Sequence, residues 1–348
     1  MSKRSVGVII ALLCGVLLVS CSMILTKDSN DDGNDAEKEE LIVVGFSQLG
    51  AESDWRTANT QSMRDTLTEE NGFKLIVEDG QQKQANQITA IRTFIQQEVD
   101  YIVLAPVTET GWDTVLQEAK EAGIPVIIID RMIDVEDEGL FTCWVGSDFR
   151  MEGAKVTDWI RRFIEDKGIA HETINIVNIQ GTIGSSSQIG RSRALQEAIQ
   201  ANGWNLLGEE TGDYTQAKAR EVMEDFLEKF KSINIVYCEN DNQAMGAIEA
   251  IEGTGRTVGA DIEAGQIMVV SFDGVSEEAI EYVKQGKITC IAECNPEHGP
   301  RVQAIIALLE VGMKPEKYSY ILEGIFTANK KFTQVSVDGV NYEVSFIE

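Results

Sequence analysis

The sequence predicts an α/β protein with two doubly wound, Rossmann-like lobes joined by a hinge. Apolar, β-branched runs recur along the 348 residues, amphipathic helical stretches alternate with them, and the alternation starts again after residue 147. Continuous apolar runs are typical of parallel strands buried on both faces, which helical crossovers connect. The chain is long enough for two such lobes.

The first series begins with the strand LIVVGF at 41–46. Four isoleucine and phenylalanine residues between 88 and 95 recur at helical spacing, which predicts an amphipathic helix. The further strands of this series are predicted at 73–80, 101–106, 124–131 and 140–148.

The second series repeats the pattern with strand-like stretches near 173–181, 204–214, 233–241, 267–274 and 288–294. Open α/β sheets bind ligands beyond the carboxyl ends of their strands. We therefore expect the ligand to lie between the two lobes.

The N-terminus has the pattern of an export signal. Lys3 and Arg4 precede an apolar run of 14 residues, which ends at Leu18-Val19-Ser20-Cys21. This ending resembles a bacterial lipobox and predicts a signal peptide at 1–20 with a lipid on Cys21. The alternative is a membrane anchor, but the run is short of the ~20 residues that span a bilayer. The acidic residues 21–40 are predicted to be a solvated tether.

Composition excludes several classes of partner and site. The formal net charge of -27 argues against binding to nucleic acid or to an anionic lipid surface. His171 and His298 are far apart in sequence and offer little for acid–base catalysis. No metal or other cofactor is predicted.

Two of the cysteines are predicted to be buried thiols, and none of the four that follow the tether is predicted to bind a metal. Cys143 and Cys238 lie in apolar, strand-like contexts typical of buried thiols. Cys290 and Cys294 have C-x-x-x-C spacing without a second cysteine pair, which argues against a metal site. Their oxidation state stays open.

The loop after the first strand, SQLGAESDWR, is a candidate ligand loop. Ser53 or Asp54 is expected to cap a helix that begins near Trp55. Glu52, Trp55 and Arg56 offer a carboxylate, an indole and a guanidinium, which suit a polyhydroxylated ligand. The alternative is that they are ordinary first-turn residues of a surface helix.

Polar residues end several other predicted strands. Carboxylate, amide and guanidinium groups make two hydrogen bonds at once and match vicinal hydroxyls, whereas helix capping is the alternative explanation for each residue alone. The strand-end residues are Asp130, Arg131, Asn240, Asp241, Phe272, Asp273 and Glu293. Trp55 and Tyr214 are expected to cover the C–H faces of a sugar.

The segment QGTIGSSS at 180–187 is similar to a phosphate-binding loop, because it is rich in glycine and serine and lies between a predicted strand and a predicted helix. It lacks the Walker A lysine and the spacing of a dinucleotide loop, and it contains no G-x-S-x-G elbow. Arg191, one turn into the helix that follows, is the stronger candidate for a ligand contact.

Several of these stretches resemble one family. VGFSQLGAESDWR, EDGQQKQANQI, IIIDR, GDYTQAKAREVMEDF and SFDGV are similar to periplasmic sugar-binding proteins of the ribose-binding type, and most closely to the galactofuranose-binding members. The resemblance implies a type I periplasmic binding protein fold. It implies as ligand contacts Glu52, Trp55, Arg56, Asp130, Arg131, Arg191, Tyr214, Asn240 and Asp273, with Glu293 near a hinge.

Departures from the ribose binders narrow the expected ligand. Ala105 stands where those proteins have asparagine, and the Glu52–Arg56 loop stands where they have paired phenylalanines. Sharing the Glu-Ser-x-Trp-Arg loop with the galactofuranose type favours a furanose. The segment after Tyr318 matches least, and its role stays open.

The resemblance also implies that the chain crosses several times between lobes, near Ser147, Glu293 and Leu322. We therefore expect an N-terminal lobe of residues 41–146 and 293–322, and a C-terminal lobe of 147–292 and 323–348.

The implied function is that of a monomeric, lipid-anchored extracytoplasmic component of an ABC sugar importer. It would close on one monosaccharide, present it to a permease and catalyse nothing. The alternatives are a sensor subunit for a membrane histidine kinase, a secreted glycosidase and, least of all, a transcription repressor. Which sugar and anomer bind stays open.

Overall fold

A computed structural model describes residues 40–348. The predicted signal peptide, Cys21 and the tether up to residue 39 lie outside this range. Within it, no helix combines the length and the apolar character that crossing a membrane requires.

Strands and helices alternate along most of the described chain. The strands are β1 (Ile42–Gln48), β2 (Phe73–Asp79), β3 (Tyr101–Leu104), β4 (Val126–Ile129), β5 (Cys143–Gly146), β6 (Asn175–Gln180), β7 (Asn205–Thr211), β8 (Ile235–Cys238), β9 (Met268–Asp273), β10 (Ile288–Glu293), β11 (Tyr318–Tyr320), β12 (Ile325–Thr327), β13 (Gln334–Val337) and β14 (Val340–Phe346). The helices are α1 (Asp54–Thr66), α2 (Gln84–Gln96), α3 (Asp113–Glu121), α4 (Phe149–Lys167), α5 (Ser186–Asn202), α6 (Gln216–Lys229), α7 (Asp241–Gly253), α8 (Glu277–Lys284) and α9 (Gly299–Glu310).

The strands form two sheets, in the orders β11-β5-β4-β3-β1-β2 and β13-β14-β12-β10-β9-β8-β6-β7. Among the described pairs, only β10 with β12 and β13 with β14 are antiparallel. The predicted architecture of two doubly wound α/β lobes is confirmed.

The central strands are apolar on both sides because helices cover both faces of each sheet. In β4, Ile128 packs into the cluster around α2 and α3, whereas Ile127 and Ile129 pack into the cluster that includes α9. In β8, Val236 and Tyr237 divide in the same way between two clusters. Cys143, Cys238, Cys290 and Cys294 are buried and free.

The C-terminal segment extends the second sheet. After β11 pairs with β5 in the first sheet, β12 pairs with β10 and β14 pairs with β12 in the second. Val335 and Val344 are buried in the same cluster as Trp159 of α4. The part of this segment after β11 therefore completes the core of the second lobe.

Candidate functional site

A cavity with an empty volume of about 280 Å³ lies between the two sheets. Nine of the ten predicted contacts line it, namely Glu52, Trp55, Arg56, Asp130, Arg131, Arg191, Tyr214, Asn240 and Asp273. Sequence reasoning missed Ser53, Phe149, Ser187 and Cys294, which also line it.

The two lobes touch across the rim of this cavity. The Asp54 amide, at the start of α1, donates to Oδ1 of Asn242 in α7 at 3.0 Å. The Met132 amide, just after β4, donates to Oγ of Ser186 in α5 at 2.9 Å. The structure therefore represents a closed arrangement of the lobes.

The first-lobe wall is a buried cluster of opposite charges. Ser53 caps α1 by accepting from the Arg56 amide, as predicted, which fixes the loop after β1. Nε of Arg56 donates to Oε1 of Glu52 at 3.3 Å, and Nη2 lies 2.7 Å from Oδ2 of Asp130. Burial opposes the charge of Arg56, but Asp130 and Glu52 outweigh it and raise the pKa of the guanidinium.

This cluster has hydrogen-bonding capacity left over. Oε2 of Glu52 and Nη1 of Arg56 are buried without a protein hydrogen-bond partner. Oδ2 of Asp130 has no directed hydrogen bond either, because its contact with Arg56 is an ion pair outside hydrogen-bond geometry. An unpaired buried polar group costs about 1–3 kcal/mol. Ligand hydroxyl groups in the cavity could satisfy all three atoms.

Arg131 spans the two lobes. Its Nη1 donates to the carbonyl of Val107 at 2.9 Å, and its Nη2 lies 3.9 Å from Oε1 of Glu52. The guanidinium carbon lies 5.2 Å from the centre of the Tyr214 ring in the second lobe. Burial and the neighbouring Arg56 lower the pKa of Arg131, so its charge is incompletely compensated by the protein.

Trp55 is fixed between the lobes. Its side-chain Nε1 donates to the carbonyl of Cys294 at 2.7 Å, and its ring lies 4.6 Å from the guanidinium carbon of Arg56. Trp55 is 5% exposed and packs with Phe149 of α4. The indole is thus held with no freedom to turn out of the cavity.

Arg191 organises the second-lobe wall. Its Nε donates to Oε2 of Glu152 at 2.7 Å, and its Nη2 donates to Oδ1 of Asp273 at 3.2 Å. Its Nη1 donates to the carbonyl of Glu239. Burial works against the charge, yet Glu152 and Asp273 raise the pKa of Arg191 well above its usual range.

Tyr214 and Asn240 form the far end of this wall. The Tyr214 hydroxyl donates to Oγ of Ser187 at 2.7 Å, and Nδ2 of Asn240 donates to the carbonyl of Tyr214 at 3.1 Å. Oδ1 of Asn240 accepts from the Gln243 amide and caps α7. A Cβ on Gly181 would lie 1.9 Å from the Tyr214 ring, so the ring requires glycine there.

Three cavity residues have strained backbone conformations. The φ angles of Asp130, Tyr214 and Asp273 are 61°, 62° and 91°. Non-glycine residues in this region cost of the order of 1–3 kcal/mol and persist where surrounding structure over-determines them, often at ligand sites. Their coincidence around one cavity supports a binding role for it.

Comparison with known proteins agrees with this geometry. Residues 44–300 match the family model described as a periplasmic binding protein domain. The chain belongs to the periplasmic binding protein family.

Among curated relatives, the galactofuranose-binding protein YtfQ of Escherichia coli K12 is 40% identical over 281 residues, which cover 79% of this chain and 85% of YtfQ. A Mycobacterium smegmatis structure in complex with β-D-fucofuranose is 37% identical, with a TM-score of 0.77 over 82% of this chain and 91% of that one. The periplasmic binding protein component of the arabinose ABC transporter from Shewanella sp. ANA-3, bound to α- and β-L-arabinofuranose, is 36% identical, with a TM-score of 0.74 and the same coverage.

In this binding protein Glu293 is not brought to the cavity. Its Oε2 accepts from the Gly324 amide at 3.0 Å, and its own amide donates to the Gly324 carbonyl. The next residue, Cys294, lines the cavity instead. The pattern of polar residues at strand ends predicted a ligand contact at the end of β10, but it selected Glu293 and not Cys294, the residue that lines the cavity.

One buried group in the described part of the binding protein has a composition that metals use. Potential ligand atoms of Glu152, Cys294 and Glu323 lie within 4.8 Å of one another. Burial raises the pKa values of all three, and metal ligands must be deprotonated. Without a cation, the protonated forms are therefore favoured, and the absence of a metal stays a prediction.

Proposed function

We propose that this chain is the extracytoplasmic solute-binding component of an ABC sugar importer and binds one furanose, such as galactofuranose, in the interlobe cavity. The observation that carries the proposal is the set of buried atoms on Glu52, Arg56 and Asp130 that have no hydrogen-bond partner in the protein. The furanose-bound relatives support the choice of ligand.

The charges of the cavity suit a neutral ligand. Three arginines, Arg56, Arg131 and Arg191, face three carboxylates, Glu52, Asp130 and Asp273. Because the positive and negative side chains balance, an ionised group on the ligand would find no excess of opposite charge in the cavity. It would also lose its hydration on entering. Neutral sugar hydroxyls can instead accept from a guanidinium and donate to a carboxylate.

Binding would drive lobe closure. A sugar that touches Arg131 on one wall and Arg191 on the other gains both sets of contacts only when the lobes are closed. Such differential affinity shifts the hinge equilibrium toward the closed form, which the permease then recognises. The similarity to the binding component of the Shewanella arabinose ABC transporter favours a role in transport over a role as a sensor subunit. No turnover is expected, because the cavity's role is to hold hydroxyls.

The lobe boundaries belong to this proposal. We assign 41–146 and 293–322 to the N-terminal lobe, and 147–292 and 323–348 to the C-terminal lobe. The membership of β11 in the first sheet and of β12–β14 in the second supports this assignment. The protein is further proposed to act as a monomer.

The test of the proposed function is calorimetry with neutral sugars. We expect tight binding of a sugar that forms furanoses, such as galactose, fucose or arabinose, and much weaker binding of glucose. EDTA and thiol reductants should leave the dissociation constant within about twofold, well below the ~1.4 kcal/mol of a tenfold change. If no sugar of the panel bound, the proposal would fail.

The membrane anchor gives a separate prediction. Cys21→Ala should release the protein from membranes into the soluble fraction, because lipidation of Cys21 and the polar tether are expected to be the attachment. Sugar affinity should not change, since the tether lies outside the cavity. Cell fractionation checks this, and a variant that stays with the membrane would indicate an uncleaved anchor.

A further inference from the structure

Two buried carboxyl groups lie side by side at the hinge. Carboxyl oxygens of Glu152 and Glu323 and the sulfur of Cys294 lie within 4.8 Å of one another. Glu152 is 1% exposed and Glu323 is 9% exposed. Ligand contacts do not explain this pair, because neither glutamate is among the residues that line the cavity.

Glu323 joins all three segments that pass between the sheets. It lies on the segment between β11 and β12, and its Oε1 accepts from Oγ of Ser147 at 2.8 Å and from the Asn295 amide at 2.7 Å. Ser147 follows β5 and Asn295 follows β10. Nζ of Lys155 donates to the Glu323 backbone carbonyl at 2.6 Å. One side chain thereby links the three crossovers.

Glu152 connects this hinge to the ligand cavity. Its Oε2 accepts from Nε of Arg191, which lines the cavity. Its Oε1 is buried without a hydrogen-bond partner, and the sulfur of Cys294, whose thiol is a weak donor, lies within 4.8 Å of a carboxyl oxygen of Glu152. A change of charge at the pair would therefore reach Arg191 directly.

Two carboxylates this close in a buried site cannot both ionise easily. Burial, Glu152 and Glu293 together raise the pKa of Glu323 to about 8, against the hydrogen bonds from Asn295 and Ser147, which lower it. Burial also raises the pKa of Glu152, although Arg191 opposes the rise. The proton of the pair therefore lies mainly on Glu323, because Arg191 contacts Glu152 and stabilises its ionised form.

Other charged and titratable groups around the pair do not cancel this repulsion. Arg191 is shared with Asp273, and Lys155 donates to a backbone carbonyl and not to the carboxyl group. The groups that face the pair from the neighbouring elements are Arg191, Lys155, Glu293, Asp273, Tyr237 and Cys294, and Asp148 acts on Lys155.

We infer that Glu152 and Glu323 form a hinge pair that holds one proton when the lobes are closed, and that closure of the lobes on the sugar takes up this proton at the pair. The inference rests on the proposed sugar-binding function. Cys294 lines the cavity and lies within 4.8 Å of both carboxyl groups, so we expect water that enters an opened cleft to reach the pair and to stabilise the ionised form. The proton comes from the buffer, and closure converts a carboxylate to a carboxylic acid.

The sign of the pH dependence follows from this difference. In the closed form the carboxyl pKa is raised above that of a hydrated glutamate, about 4.3. Protonation of the pair therefore contributes its full stabilisation of the closed form below the open-form pKa of about 4.3. This contribution is lost as the pH rises through the closed-form pKa of about 8. Sugar affinity should therefore fall between about pH 6 and pH 8, by at least about fivefold.

Calorimetry of the full chain with galactose, fucose or arabinose, in buffers of different ionisation enthalpy, tests the inference. At pH 7 we expect uptake of about 0.5–1 proton per sugar bound. Sugar binding whose heat is independent of the buffer would overturn the inference and leave the proposed function intact. Absence of binding at every pH would overturn both.

Matched variants locate the proton. Glu323→Gln keeps an oxygen that accepts from Ser147 and Asn295 but cannot ionise, so proton uptake should fall below about 0.2 and the pH slope should flatten. Glu239→Gln is the control, because Glu239 is buried with a pKa of about 7 but bonds Gly181 and Ser192 away from the hinge. Uptake that persisted in Glu323→Gln, or vanished only in Glu239→Gln, would overturn the assignment. The wild-type measurement stands even if a variant does not fold.

Discussion

Replacing Arg191 with alanine is expected to abolish sugar binding and to lower the free energy of unfolding by about 3–5 kcal/mol, the usual cost of breaking a buried ion pair from one side. Arg191 is 2% exposed and contacts carboxylates of both Glu152 and Asp273. Without it, both carboxyl groups stay buried with no cation in contact, and the second-lobe wall of the cavity loses its main donor.

Chemical denaturation and sugar titration measure the two effects separately. Arg193→Ala is the matched control, because Arg193 lies two residues further along α5, is exposed and pairs with Glu197 on the surface. It should change stability by less than about 1 kcal/mol.

The defect of Arg191→Ala should shrink at lower pH. Burial already raises the pKa of Asp273, and loss of Arg191 should raise this pKa further. The variant is therefore expected to be least stable at high pH, where the buried Asp273 carboxyl group is ionised without its cation. Protonation at lower pH removes the uncompensated charge. A folded Arg191→Ala protein with wild-type sugar affinity would exclude Arg191 from the site.

The fold could be predicted from local sequence patterns, because most strands are marked by an apolar run of their own residues. The residues from Val44 to Phe46 in the run LIVVGF and all of the run VIII are buried, and Ser53, one of the two expected caps, caps α1. The role of the segment after Tyr318 could not be predicted in this way. The short strands β11 and β12 join different sheets, and that choice depends on long-range pairing rather than on local propensity.

The site was only partly predictable, for a geometric reason. Asp130 and Arg131 directly follow β4, and Asn240 lies two residues beyond the end of β8, so strand-end reasoning found them. At β10 the choice between Glu293 and Cys294 depends on the face that each residue takes, and a shift of one residue reverses it. The pairing of β10 with β9 is irregular between Ile288 and Cys290.

The hinge pair had no signal in the sequence at all. Glu152 looks like a first-turn residue of α4, and Glu323 lies in a short segment without a motif. They meet only because three crossovers converge between the sheets. Chemistry that depends on such convergence requires the tertiary structure.

Arg131→Ala is expected to cost on the order of 2–4 kcal/mol of sugar binding and much less of folding. Removal of the guanidinium leaves ligand oxygens and the Val107 carbonyl without a donor in a closed site. Folding should suffer little, because burial and Arg56 lower the pKa of Arg131 against the pull of Asp130 and Glu52. The protein therefore gains little stability from this charge.

Arg131→Lys separates charge from geometry. A lysine keeps the positive charge but cannot donate two parallel hydrogen bonds to adjacent oxygens, and its ammonium cannot reach both the Val107 carbonyl and a sugar as the planar guanidinium can. We therefore expect a clear loss of affinity in this variant too. Arg92→Ala, which removes an exposed arginine paired with Glu118 in the same lobe, should leave affinity unchanged. If both Arg131 variants bound sugar within about twofold of wild type, far below the ~1.4 kcal/mol of a tenfold change, Arg131 would be a structural residue and the first-lobe wall would need another donor.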